Sequence, residues 1–278
     1  MLVALCSGKG SPGVSTLACV VGAVWPAFRE VVVAECDPSG NDLAVRFGLA
    51  PRRGTASLVL ARRSAEGGGP MMDLHLQSLP GGLNVLTGPV NPDAARAVDR
   101  ELATFGHDVF PLDVDVLVDC GRLSADANGQ QSMIDAANRV IVVCRPDPAG
   151  IAHAKVALEA VNRSSSTTPP FLVAVGQSRF PTREIERALE VEIIEHVPTD
   201  PEAAGIACGM PGSPRRLARS RLVEAARRIA NRLLDDAPVH EPDGAPADSL
   251  HSVERIGRAL ALSTDHLPGS NGQSARGG

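Results

Sequence analysis

The stretch Gly8-Lys9-Gly10-Ser11-Pro12-Gly13-Val14-Ser15-Thr16 decides how the rest of this chain is read. It follows the apolar run Leu2-Val3-Ala4-Leu5-Cys6. It precedes a segment with Leu17, Val20, Val21, Val24, Trp25 and Phe28 at the spacing of a buried helical stripe. A glycine-rich turn between a strand and a helix aims free backbone N–H groups and a positive dipole end at one point, a cradle for phosphate. The usual spelling is G-x-x-x-x-G-K-[ST]. Gly8 and Gly13 keep that spacing and Ser15 stands where a hydroxyl ligates Mg²⁺, but position 14 is Val where a lysine is expected. One charge-assisted contact is worth roughly 1.5–3 kcal/mol, so its loss weakens nucleotide binding by about 10–100-fold while the backbone donors survive. Pro12 removes one further amide donor. Hydrolysis suffers more, because the lysine neutralises charge on the transferred phosphoryl group.

The chain after this turn alternates strands and helices. Val31–Asp37 is a β-branched run ending in a carboxylate, Leu83–Thr87 a short strand, and Val114–Asp119 an apolar strand ending in Asp. Arg139–Cys144 and Phe171–Gly176 complete the strands, with helical patterns over Thr55–Ala65, Pro92–Phe105 and Ile151–Val161. This order implies an α/β fold, a doubly wound, mostly parallel sheet flanked by helices. Ligands of such folds bind at the carboxyl ends of the strands, where Gly13, Asp37, Asp119 and Pro198 all fall.

Lys9 is one of only two lysines, with Lys155, among 27 Lys and Arg residues. Aligned on it, residues 9–16 resemble the "deviant" loop of the ParA/MinD ATPases, K-G-G-x-G-K-[ST]-[ST], with the second lysine replaced by Val14. Glu35-Cys36-Asp37-Pro38 is similar to that family's D-x-D-P signature, with Glu35 in place of the first Asp. Asp119-Cys120-Gly121 resembles its Walker B end, and Val197-Pro198-Thr199-Asp200 its P-x-D turn beside the purine. Gln177 stands nearest to the family's adenine-reading Asn. The resemblance covers residues 1–235.

It implies a SIMIBI-like P-loop NTPase fold that binds ATP and Mg²⁺. Gly8, Lys9, Gly10, Ser11, Pro12, Gly13, Val14, Ser15 and Thr16 would hold the phosphates, and Gln177, Pro198 and Asp200 the base. Ser15 and Asp119 would hold the metal, Asp37 would order the attacking water, and Lys9 would reach the nucleotide of a second subunit in a sandwich homodimer. The implied function is positioning or partitioning a cargo or partner complex in a bacterial cell, with hydrolysis weak or absent because of Val14. Two alternatives are an active chromosome- or plasmid-partitioning ATPase and a non-catalytic scaffold like the TadZ/CpaE branch of pilus assembly. A dethiobiotin-synthetase-like ligase is a more distant reading, since it has no use for Lys9.

A formal net charge of -5 excludes a protein coated in positive charge but not a local basic patch. Such a patch is expected on a helix over Pro214–Leu234, with Arg215, Arg216, Arg219, Arg221, Arg227 and Arg228 available for sequence-independent DNA contact, as in ParA-type proteins. The six cysteines form no C-x-x-C pair and sit mostly in apolar runs, as core residues of a reducing, cytoplasmic compartment would. Residues 1–236 read as one nucleotide-binding domain, and residues 237–278 as a linker and flexible, largely disordered tail. Leu250, Val253, Ile256 and Leu260 suggest a short helix over 250–262, a weak candidate for membrane contact.

Overall fold

The computed structural model describes residues 1–10, 12–64, 72–111, 113–163 and 169–235. Ser11, the connector Gly67–Gly69, most of the loop before Phe171, and the tail with its expected helix over 250–262 lie outside the described residues.

One eight-stranded sheet runs through the molecule in the order β3-β4-β2-β5-β1-β6-β7-β8. Its strands are β1 (Leu2–Ser7), β2 (Val31–Glu35), β3 (Gln77–Ser78), β4 (Asn84–Leu86), β5 (Asp115–Arg122), β6 (Arg139–Cys144), β7 (Phe171–Val175) and β8 (Glu192–Val197). All pairings are parallel except the two-residue edge strand β3 against β4. Both β1 and β5 are buried along nearly their whole length, as strands covered on both faces must be.

Alternate residues feed two separate cores. On one face Val3, Leu5, Val33, Leu117 and Ile141 pack beneath α1 (Val14–Ala23), α2 (Leu43–Arg46), α8 (Pro201–Ala207), α9 (Pro214–Ala218) and α10 (Arg221–Asp235). On the other, Ala4, Val32, Val118, Val142 and Leu172 pack beneath α3 (Thr55–Ser64), α4 (Pro92–Phe105), α5 (Asn128–Ala136), α6 (Pro148–Asn162) and α7 (Thr182–Leu189). Each face is aliphatic, as expected from a composition with only 3% aromatic residues.

The structure departs from the sequence expectations in four places. Helix α1 stops at Ala23, ahead of Pro26, and Phe28 is 66% exposed rather than part of the stripe. Strands β3 and β8 are additions at the sheet edges. The basic helix is two helices, broken at Arg219–Ser220, where the Ser220 hydroxyl accepts from the Val223 N–H at 3.2 Å and caps α10. One apolar stripe runs across the break: Leu217, Leu222, Val223, Ala226, Ile229, Ala230 and Leu233 are all buried.

Candidate functional site

The turn after β1 enters α1 through Gly13, whose φ of 104° lies in the left-handed region. A Cβ placed on Gly10 or Gly13 would meet nothing within 4 Å. The mouth of the turn is therefore open, with the first-turn amides of a ten-residue helix behind it. Val14 does not look into this space. It is 5% exposed and belongs to the core beneath α1. Lys9 and Gly10 are exposed, and Gly8 is partly buried at the end of β1.

Ser15, in the first turn of α1, lies close enough to Asp119 at the end of strand β5 for its hydroxyl to lower that carboxyl. Asp119 is 2% exposed and accepts from the Gly121 N–H at 2.9 Å. Burial pushes its carboxyl up to about 6 against the pull of those two groups, and the nearby Asp37 charge pushes the same way. Two of the expected metal-holding groups are thus brought side by side.

Asp37 follows β2 and lies over the end of β5. Its Oδ1 accepts from the Ser39 N–H at 2.7 Å, and the nearby Arg122 backbone also favours its charged form. Gly121, at φ 59°, makes room for it: a Cβ there would fall 1.8 Å from Asp37 Oδ2. Partial burial raises the Asp37 carboxyl above its ordinary value.

Glu35 is not a loose substitute for an aspartate. It is 1% exposed, with Oε1 accepting from the Asp42 and Leu43 N–H groups at 3.0 and 2.9 Å. Oε2 accepts from the Gly88 N–H at 3.0 Å. One side chain therefore ties the start of α2 to the end of β4. Asn41 reinforces the knot, accepting from the Asp37 N–H and donating to the Asp37 and Pro89 carbonyls. Burial raises the Glu35 carboxyl to about 7, opposed by the three amides.

On the other side of the turn, Pro12, Gly13 and Thr16 form one wall of a cleft of about 160 Å³. Val175, Pro198 and Asp200 line the opposite wall. Asp200 also caps α8, accepting from the Ala203 N–H at 3.0 Å. Gln177 is exposed beyond β7 and is not among the residues lining that cleft. Five cysteines are buried thiols, and burial raises Cys6 to about 12. Cys208 is partly exposed, with Sγ 3.1 Å from Thr16 Oγ1.

The donor set fits a nucleotide with its divalent cation: an open amide cradle, a hydroxyl beside a carboxylate, and an apolar cleft beside them. When bound, the cation would supply Lewis-acid polarisation of the nucleotide's phosphate. The residues of this chain would hold it through Ser15 and Asp119 and keep Asp37 over the end of β5.

No family model and no curated protein matches the sequence. Solved structures do match. The ParA family ATPase of Chlorobium tepidum is 16% identical, with a TM-score of 0.68 over 84% of this chain and 98% of that one. The fold is that of the ParA/MinD ATPases. The cell division ATPase MinD of Pyrococcus furiosus is 17% identical, with a TM-score of 0.67 over 85% of this chain and 99% of that one. The septum site-determining protein MinD of Pyrococcus horikoshii, solved with Mg-ADP, is 15% identical, with a TM-score of 0.67 over 84% of this chain and 95% of that one. The ParA/MinD fold accounts for the meeting of the first turn, β2 and β5 at one sheet end.

The basic face is partly committed elsewhere. Arg228 pairs with Glu195 at 2.5 Å, Arg232 with Glu192 at 3.2 Å, and Arg216 with Glu202. Arg215, Arg219 and Arg221 remain exposed. Among the described residues no helix is long and apolar enough to cross a membrane.

Proposed function

We propose that this protein binds ATP with Mg²⁺ at the turn Gly8–Thr16 and uses the bound nucleotide to position or partition a partner complex in the cytoplasm of a bacterial cell. The observation that carries the reading is an open glycine turn at the head of α1 with the buried Asp119 carboxylate and the Ser15 hydroxyl close beside it, and Val14 packed away in the core. An amide cradle with no lysine at position 14 supports binding with weak or absent hydrolysis, the nucleotide acting as a conformational ligand. Its relative in fold from P. horikoshii was solved with Mg-ADP, which supports the choice of ligand. Exposed Lys9 supports a nucleotide-linked homodimer, in which it would meet the partner subunit's nucleotide.

An active partitioning ATPase is the second reading, favoured by Asp37 standing over the end of β5. The exposed Arg215, Arg219 and Arg221 are then its DNA-contacting residues. A scaffold role in pilus or secretion assembly is the form that the first reading takes if turnover is nil. The domain proposal is one nucleotide-binding unit over residues 1–236, followed by a tail.

Calorimetric titration with ATP and ADP in Mg²⁺, with turnover measured on the same sample, separates these readings. Binding without turnover is the expected result, and Val14→Lys raises both affinity and turnover. If neither wild type nor Val14→Lys binds either nucleotide at millimolar concentration, the reading is wrong.

A further inference from the structure

Val14 leaves the amide cradle without its usual in-loop cation, and Lys9 faces solvent. A triphosphate held by amides alone keeps most of its charge unneutralised, so a second cation close to the first turn of α1 would change what the cradle can hold. Arg46, on α2, is there. Its charge is felt at Asp119, where it lowers the carboxyl, and at Cys19, one turn further along α1. Its Nη1 lies 3.5 Å from Cys208 Sγ, which is itself 3.1 Å from Thr16 Oγ1. A single side chain thus separates the guanidinium from the first turn of α1.

The placement of Arg46 is built. The start of α2 is pinned by the two Glu35 hydrogen bonds to the Asp42 and Leu43 amides, and Leu43 and Phe47 anchor it in the core. The backbone of Gly209 packs against the Arg46 carbonyl from the other side. Asp42 holds Nη2 at 3.0 Å in an i, i+4 pair, but Asp42 is 63% exposed and Arg46 only 28%. A guanidinium carries five N–H donors in a planar fork suited to phosphate oxygens. Asp42 and Cys208 engage two of its nitrogens, one of them across the long distance to sulfur.

We propose that Arg46 supplies, from α2 of the same chain, the positive charge on the bound polyphosphate that Val14 takes out of the loop. This rests on the nucleotide-binding reading above and adds to it a residue outside all the loop signatures. Arg46 follows the Asp37 segment by one short helix, so its contact with phosphate also couples that segment to the occupancy of the site.

The test measures Mg-ATP and AMP affinity calorimetrically on the full chain for wild type, Arg46→Ala, Arg46→Lys, Val14→Lys and the Val14→Lys/Arg46→Ala double variant. The thermal midpoint of each apo protein is recorded alongside. Arg46→Ala is expected to weaken Mg-ATP by about 10–100-fold and AMP by no more than about threefold, since AMP lacks the distal charge. Its apo midpoint should stay near wild type, because an i, i+4 surface pair contributes little. Arg46→Lys should keep part of the affinity. Val14→Lys should restore Mg-ATP binding in the Arg46→Ala background by more than it adds to wild type, a coupling that only a shared charge role produces. If Arg46→Ala binds Mg-ATP as wild type does, or loses Mg-ATP and AMP in equal proportion, Arg46 does not serve the polyphosphate. If wild type and Val14→Lys both fail to bind Mg-ATP, the nucleotide reading itself falls, and Arg46 with it.

Discussion

Glu35 stands where the resemblance expects an aspartate, and its extra methylene is what lets one carboxylate reach amides at positions 42, 43 and 88. Shortening the side chain by Glu35→Asp should leave buried N–H groups without an acceptor, at about 1–3 kcal/mol each, read as a lower urea midpoint. The carboxyl of Glu35 should titrate near 7 in a ¹³C NMR pH series. Its folded pKa is raised above the ordinary carboxyl value, so the folded state holds more protons between about pH 4.5 and 7. Its stabilising contribution is therefore full below that window and is lost as pH rises through about 7, by on the order of 3 kcal/mol. Asp119, raised to about 6, acts with the same sign. A flat stability profile across this range would contradict both assignments. At Gly121 a methyl group would collide with the Asp37 carboxylate in a backbone conformation that side chains rarely adopt. Gly121→Ala should cost roughly 2 kcal/mol or more and weaken Mg-nucleotide binding through displaced Asp37. The carboxylates themselves could be picked out by their places at strand ends, but the partners of Glu35 could not, because sequence spacing does not show which distant amides a buried oxygen will meet.

At the level of elements, α10 shows how a charged face is divided. Its apolar stripe, Leu222, Val223, Ala226, Ile229, Ala230 and Leu233, is buried at every position. Its arginines were read as one solvent-facing set, yet Arg228 and Arg232 turn onto Glu195 and Glu192 of β8, and Arg232 also lies 5.2 Å over the Phe171 ring. The same glutamates hid β8 from the sequence, since an edge strand with charged outward residues lacks the apolar run of its neighbours. Arg228→Ala should change stability by less than about 1 kcal/mol, as a largely exposed pair does. Ser220→Ala, which removes the cap of α10, should cost about 1 kcal/mol; equal urea midpoints for these two variants would contradict this division. If DNA is bound, Arg215→Ala, Arg219→Ala and Arg221→Ala should each reduce the salt slope of that binding by about one unit, measured by titration at several salt concentrations.

Over the whole molecule, two aliphatic cores lie on opposite faces of one sheet, and a buried charge knot sits at the end away from the glycine turn. Asp115, 3% exposed, accepts from Arg29, from Trp25 Nε1 at 2.8 Å and from the Met1 amino group at 2.9 Å. These donors, outweighing burial, hold its carboxyl below the ordinary value, so its stabilising contribution is present above that value and is lost as pH falls through the acid range. Asp115→Ala leaves buried donors and a cation without their acceptor and should destabilise the fold by about 3–5 kcal/mol, read from urea unfolding. Mg-ATP at a hundredfold excess over its dissociation constant should stabilise the molecule by about 2.7 kcal/mol, a rise of about 5–10 °C in thermal midpoint. The sequence by itself determined the central strands, the helices between them and the glycine turn, because a strand covered on both faces must be apolar at every position and a buried helix stripe must repeat with the turn. Only the tertiary structure decided that Val14 packs into the core, that Ser15 comes beside Asp119, that Glu35 joins α2 to β4 and that Arg46 stands beside the first turn of α1. Those meetings depend on strand order and helix docking, which bring together residues far apart in the chain and leave no periodic trace in it.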